Sequence, residues 1–131
     1  MQSAERIIKY ELNGETYWLN YSARASQRLI NTSKDLGYES IGEFLSDNDG
    51  ERAVENTCHA AAIMIEQGAL YKQEIEKIEA PVISAKTLDV LLTLEQFDEL
   101  SLAVVQAMVA GARREVEATA PPKKETAAGT K

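Results

Sequence analysis

At 131 residues the chain is long enough for one domain with a real core and too short for two comfortable ones. A hydrophobic fraction of 44% is ordinary for a globular protein, so the chain as a whole is not a disordered one. The formal net charge of −7 and pI near 4.8 give an acidic surface that repels phosphate backbones and anionic lipid, which argues against sequence-independent nucleic-acid binding and against a membrane surface.

The first expected element is a hairpin. In YELNGETYWL, Tyr10 to Leu19, Asn13-Gly14 separates two runs rich in aromatic and β-branched side chains. Both turn residues tolerate the positive φ of a type I′ turn, and Asn-Gly between alternating runs is the strongest short-range hairpin signal. The turn sets the register: Leu12 faces Glu15, Tyr10 faces Tyr17 and Ile8 faces Leu19. One face then carries Ile8, Tyr10, Leu12, Tyr17 and Leu19, continued by Tyr21. The other carries Ile7, Lys9, Glu11, Thr16, Trp18 and Asn20. An isolated hairpin is marginal in water, so helices are expected to cover the apolar face.

From Ser22 the period becomes helical. SARASQRLINTSKDLG places Ala25, Leu29, Ser33 and Leu36 at helical spacing, with Ser22 as N-cap and Gly37 as the stop. In SIGEFLSD, Ser40 and Glu43 form a capping box for a short helix. The turn DNDG, Asp47 to Gly50, leads into ERAVENTCHAAAIMIEQGA. There Val54, Cys58, Ala61 and Ile65 share a face, Ala60-Ala61-Ala62 implies close packing on a neighbour, and Gly68 weakens the end. KQEIEKIEAP, charged and closed by Pro81, reads as a loop or a ragged continuation of that helix.

A short helix is expected from near Ser84, with Leu88, Val90, Leu91 and Leu92. Thr93 and Gln96 form a second capping box, which opens the longest amphipathic helix. Leu94, Phe97, Leu100 or Ser101, Val104, Met108 and Ala112 mark its stripe. Leu102, Val105 and Val109 widen that stripe, so the helix is expected to be buried on more than one side. ATAPPKKETAAGTK, from Ala118 onward, has no large apolar residue and cannot offset the entropy of ordering. The expected fold class is therefore α+β and mostly helical: an N-terminal two-stranded β-hairpin packed on a bundle of about four to five helices. One globular domain is expected over residues 1–117, followed by a disordered C-terminal tail over 118–131.

No catalytic or cofactor-binding set emerges. Cys58 and His59 are adjacent, and neighbours on a helix point about 100° apart, so they cannot form a nucleophile–base pair. Cys58 lies on the apolar stripe and reads as an inert core residue. His59 has Glu55 one turn earlier, but with one histidine and one cysteine in the chain a three-ligand metal site is not built. The seven glycines are scattered and spell no phosphate loop. Glu74, Glu76 and Glu79 sit in a charged stretch that reads as a solvated face. The single cysteine excludes an internal disulfide and fits a reducing cytosol. The opening MQSAERIIKY lacks a signal pattern, and no apolar run approaches the roughly 20 residues of a membrane span, so a soluble intracellular protein is expected.

Trp18 stands on the mixed face of the hairpin, opposite Lys9 and diagonal to Ile7. Two readings apply to it. Either a cross-strand cation–π pair or a neighbouring loop covers the ring, or it is an aromatic anchor at an interface, where Trp is over-represented. The candidate partner-binding residues are Trp18 and Ile7 on the hairpin and Leu102, Val105 and Val109 on the last helix.

The order of segments resembles the tail assembly chaperones of long-tailed bacteriophages and prophages. YELNGETYWLNY, then ARASQRL and IGEFL, is similar to the start of those proteins. IEQGALYKQE is similar to their middle helix and acidic stretch, and KTLDVLLTLEQFDELSLAVVQAM to their closing helices. The similarity spans roughly Tyr10 to Ala112 and rests on segment order and apolar positions. It implies a protein that is not an enzyme and needs no cofactor. Such a protein would bind the tape measure protein in the host cell cytoplasm, keep it soluble and help recruit the tail tube protein. It would be absent from the mature virion, and self-association is a further option. The resemblance also implies a longer form made by ribosomal frameshifting, and Pro121 to Lys124 is a stretch whose codons could spell a slippery run of C and A, depending on codon choice; a plain polar tail is the other reading. The rival from a different class is a small cytosolic regulatory or inhibitor module encoded by a prophage. Arg113-Arg114 alone is too little basic surface for such a module to bind DNA directly.

Overall fold

Two short strands joined at Asn13-Gly14 open the part of the chain that the computed structural model describes, residues 6–112. Strands β1 (Ile8–Leu12) and β2 (Glu15–Leu19) pair antiparallel, with Ile8 opposite Leu19, Lys9 opposite Trp18, Tyr10 opposite Tyr17 and Leu12 opposite Glu15. Asn13 and Gly14 have φ of 52° and 87°, the left-handed values that a type I′ turn requires. The pairing is the one that the Asn-Gly turn dictates. Tyr10, Leu12, Tyr17 and Leu19 are buried on the face turned to the helices.

Five helices follow: α1 (Ala23–Asp35), α2 (Ile41–Leu45), α3 (Gly50–Ile75), α4 (Ala85–Leu91) and α5 (Leu94–Ala112). Their starts are set by caps. The Ser22 hydroxyl accepts from Ala25 N at 3.1 Å, Ser40 from Glu43 N at 3.0 Å and Ser84 from Thr87 N at 3.1 Å. At the start of α5 the box is reciprocal: Gln96 N donates to Thr93 Oγ1 at 3.2 Å and Thr93 N to Gln96 Oε1 at 3.0 Å. Glu43 instead reaches one residue further back, accepting from Glu39 N at 3.1 Å. Gly37, at φ 95°, turns the chain after α1.

The longest helix is α3, with 26 residues against 19 in α5, a correction to the expectation that the last helix is the longest, and it does not stop at Gly68 but runs on to Ile75. It is the central strut, in contact with β2, α1, α2, α4 and α5. Cys58, Ala60, Ala61, Met64 and Ile65 on α3 are buried, the alanines allowing the close approach that their run implied. Asn56, also buried on α3, donates to the Phe44 carbonyl at 2.8 Å and to the Tyr38 hydroxyl at 3.0 Å, tying α2 down. Tyr38 in turn donates to Asp47, whose carboxyl is held below the usual carboxylate range by that bond and by the Asp49 N–H.

Three further expectations are corrected. Ile7 and Asn20, assigned to the outer face of the hairpin, are both buried. Asn20 is drawn in because its N–H donates to the Met64 carbonyl at 3.0 Å and its side-chain amide to the Gln67 carbonyl at 3.4 Å. And α5 is buried on one side only, through Leu100, Ala103, Val104 and Ala107. Residues 113–117, the tail over 118–131 and the stretch Pro121 to Lys124 lie outside the described residues.

Candidate functional site

Burial divides the five candidate partner-binding residues. Ile7 is only 7% exposed and offers no surface to a partner, a correction to its candidacy. Trp18 is half-buried, and its ring is capped by Lys72 of α3, with the ammonium 3.8 Å from the ring centroid. A cation–π contact thus covers it, but the cation comes from α3 and not from Lys9 across the hairpin. Lys72 is itself held by Glu76 at 2.8 Å, one helical turn on. A shallow cleft of about 480 Å³, bordered by Lys9, Thr16, Trp18, Glu79 and Pro81, opens beside the ring.

Leu102, Val105 and Val109 behave differently. They are 59%, 54% and 54% exposed. At 3.6 residues per turn they lie about half a turn around α5 from its buried residues, so the helix carries two apolar faces back to back. The inner face is seated firmly. Tyr10 donates its hydroxyl to the Gln96 carbonyl at 3.0 Å, and Gly111 lies so close to the Tyr21 carbonyl that any side chain there would overlap it. Nothing in the described chain covers the outer face. Leu94 and Val90, at the α4–α5 junction, add exposed apolar surface at 79% and 80%. Trp18 is thus covered by a lysine while the α5 triplet stands uncovered, and the α5 face is the candidate site.

The triplet is legible in the sequence as apolar, but the expected burial of α5 on more than one side does not hold for it. Leu94 is not legible as surface, since the same residue fits the start of a core stripe.

Two groups able to do acid–base or nucleophilic work, Cys58 and Tyr10, are buried in the core. The Cys58 thiol is buried, and burial, reinforced by Asp89, pushes it up to about 11. Tyr10 is pushed up to about 12 by burial and then by the nearby Glu99 and Cys58. Among the described residues no group of three or more His, Cys, Asp or Glu is placed to hold a metal ion, and no helix is long and apolar enough to cross a membrane. Comparison of the chain with protein-family models, with curated proteins and with solved structures gives no match.

Proposed function

We propose that this chain is a tail assembly chaperone of the long-tailed phage type, a binding protein and not an enzyme, as its segment order implies. It takes the long helical tape measure protein onto the outer face of α5, keeps that protein soluble in the host cytoplasm and helps recruit tail tube subunits. The observation that carries this reading is the pair of opposed apolar faces on α5. One builds the core, while Leu102, Val105 and Val109 stand exposed on the other. A contiguous exposed apolar face on a small acidic domain marks a surface for another molecule, and an apolar helical stripe suits an amphipathic helix.

Co-expression with the tape measure protein encoded beside it tests the reading. The partner's soluble fraction should rise, and a complex should survive gel filtration. Unchanged solubility with no complex overturns the proposal.

A further inference from the structure

The outer face of α5 is ordered along its length. Glu95, Asp98, Leu102, Val105, Val109 and Ala112 follow one another at alternating spacings of three and four residues, the spacing of a heptad seam, and all six are exposed. The seam is polarised: its first two positions are carboxylates and its last four are apolar. Glu99 and Gln106 flank it on the solvent side. Leu94 to Ala112 contains no Lys or Arg, and among the described residues no salt bridge engages Glu95, Asp98 or Glu99.

A second copy of the chain suits this seam poorly. Parallel pairing sets Glu95 and Asp98 against their own copies, like charge on like charge. Antiparallel pairing sets Asp98 against Val109 and Glu95 against Ala112, burying carboxylates with no partner. A helix of another protein meets neither obstacle if it is apolar where it faces the last four positions and cationic where it faces the first two.

We infer that the seam receives an amphipathic helix carrying Lys or Arg at the end that meets Glu95 and Asp98. This rests on the function proposed above and names the chemistry of the partner segment. The partner runs antiparallel to α5, which places its basic residues in its own last turns, where cations stabilise a helix end.

Two synthetic peptides about three heptads long serve as probes. They share Leu at four successive seam positions and differ at the final two, Lys in one and Glu in the other. Titrated against the full chain, the Lys peptide should bind at least about ten-fold tighter, with the gap narrowing as salt is raised. Glu95→Gln/Asp98→Asn should erase the preference, Glu95→Lys/Asp98→Lys should reverse it, and Leu102→Asp/Val105→Asp should abolish binding of both, with far-UV circular dichroism confirming that each variant folds.

Equal binding of the two peptides, or binding of neither, overturns the inference. So does sedimentation showing a dimer that Leu102→Asp/Val105→Asp disperses, because a second copy is then the occupant. Failure here is separable from failure of the proposed function. If the tape measure protein is still solubilised by the Glu95→Lys/Asp98→Lys variant, only the charge reading falls; if the wild-type chain does not solubilise it, the function itself does.

Discussion

Replacing Gly68 by alanine adds one methyl group where α3 meets the backbone at the end of β2. An ideal Cβ at Gly68 would overlap the Trp18 carbonyl and come within 3.1 Å of Trp18 Cβ. In an exposed helix interior the same change gains about 1 kcal/mol. Here the obstacle is main chain, which cannot rotate aside as a side chain would. Relief requires β2 to lift from α3, and that stretches the bonds from Asn20 to the Met64 and Gln67 carbonyls, at 3.0 and 3.4 Å. Overpacking costs about 1–3 kcal/mol, and weakening a buried backbone bond adds about 1–3 more. After the propensity gain, a net loss of about 1–5 kcal/mol is expected. Urea unfolding at unchanged m-value, followed by far-UV circular dichroism and by the fluorescence of the single tryptophan, measures it. Gly42→Ala is the control, since its Cβ would meet only Ser40 Oγ at 3.7 Å, an ordinary contact; it should be neutral or slightly stabilising. A Gly68→Ala variant as stable as the parent would refute the close seating of β2 on α3.

Tyr17→Ala, at a buried cross-strand position facing the helices, should cost roughly 3 kcal/mol, and Trp18→Ala clearly less, since its ring is half-buried under a lysine; the reverse order in chemical denaturation would place the register one residue off. Stability should fall in alkali. Cys58 rises from 9.0 to about 11 and Tyr10 from 10.0 to about 12, so the unfolded chain ionises first and stability, full below pH 9, declines as pH climbs towards 12. Each group contributes a slope of at most about 1.4 kcal/mol per pH unit, and Cys58→Ala should flatten the profile between pH 9 and 11; parallel profiles for parent and variant would mean that the thiol is not shielded. Leu102→Asp/Val105→Asp should leave the unfolding free energy within about 1 kcal/mol of the parent's, about 0.5 kcal/mol for each exposed position, whereas Leu100→Ala should cost about 2–5 kcal/mol; a large loss from the first pair would show that the outer face of α5 is structural.

Local chemistry made much of this fold readable from the sequence. Asn13-Gly14 dictated the strand register, and Ser22, Ser40, Ser84 and Thr93 placed the helix starts, because turns and caps are settled by residues within a few positions of each other. Misreadings arose where a distant segment decides. Gly68 weakens a helix by propensity, yet here it is the position at which α3 admits the backbone of β2. Asn20 alternates outward in the strand pattern, but the Met64 carbonyl takes its N–H and draws it in. Trp18 found its cation on α3, more than fifty residues away in sequence, where the hairpin register offered Lys9. The candidate site was half legible for a related reason. Periodicity shows that a helix face is apolar, but not whether a covering surface belongs to the same chain; Leu102, Val105 and Val109 fit both a helix buried on more than one side and a partner-binding face, and only their exposure on α5 separates the two.

The proposed role of that outer face is tested most directly by light scattering of purified mixtures with a phage tape measure protein on a sizing column. The parent chain should elute as a complex of defined mass. Leu102→Asp/Val105→Asp, folded by circular dichroism, should elute free. Leu36→Asp, a control at an exposed leucine beyond the end of α1, should bind as the parent does. Complex formation by the α5 double variant at the parent's level, or its equal loss in Leu36→Asp, would contradict the proposal that α5 carries the partner-binding face.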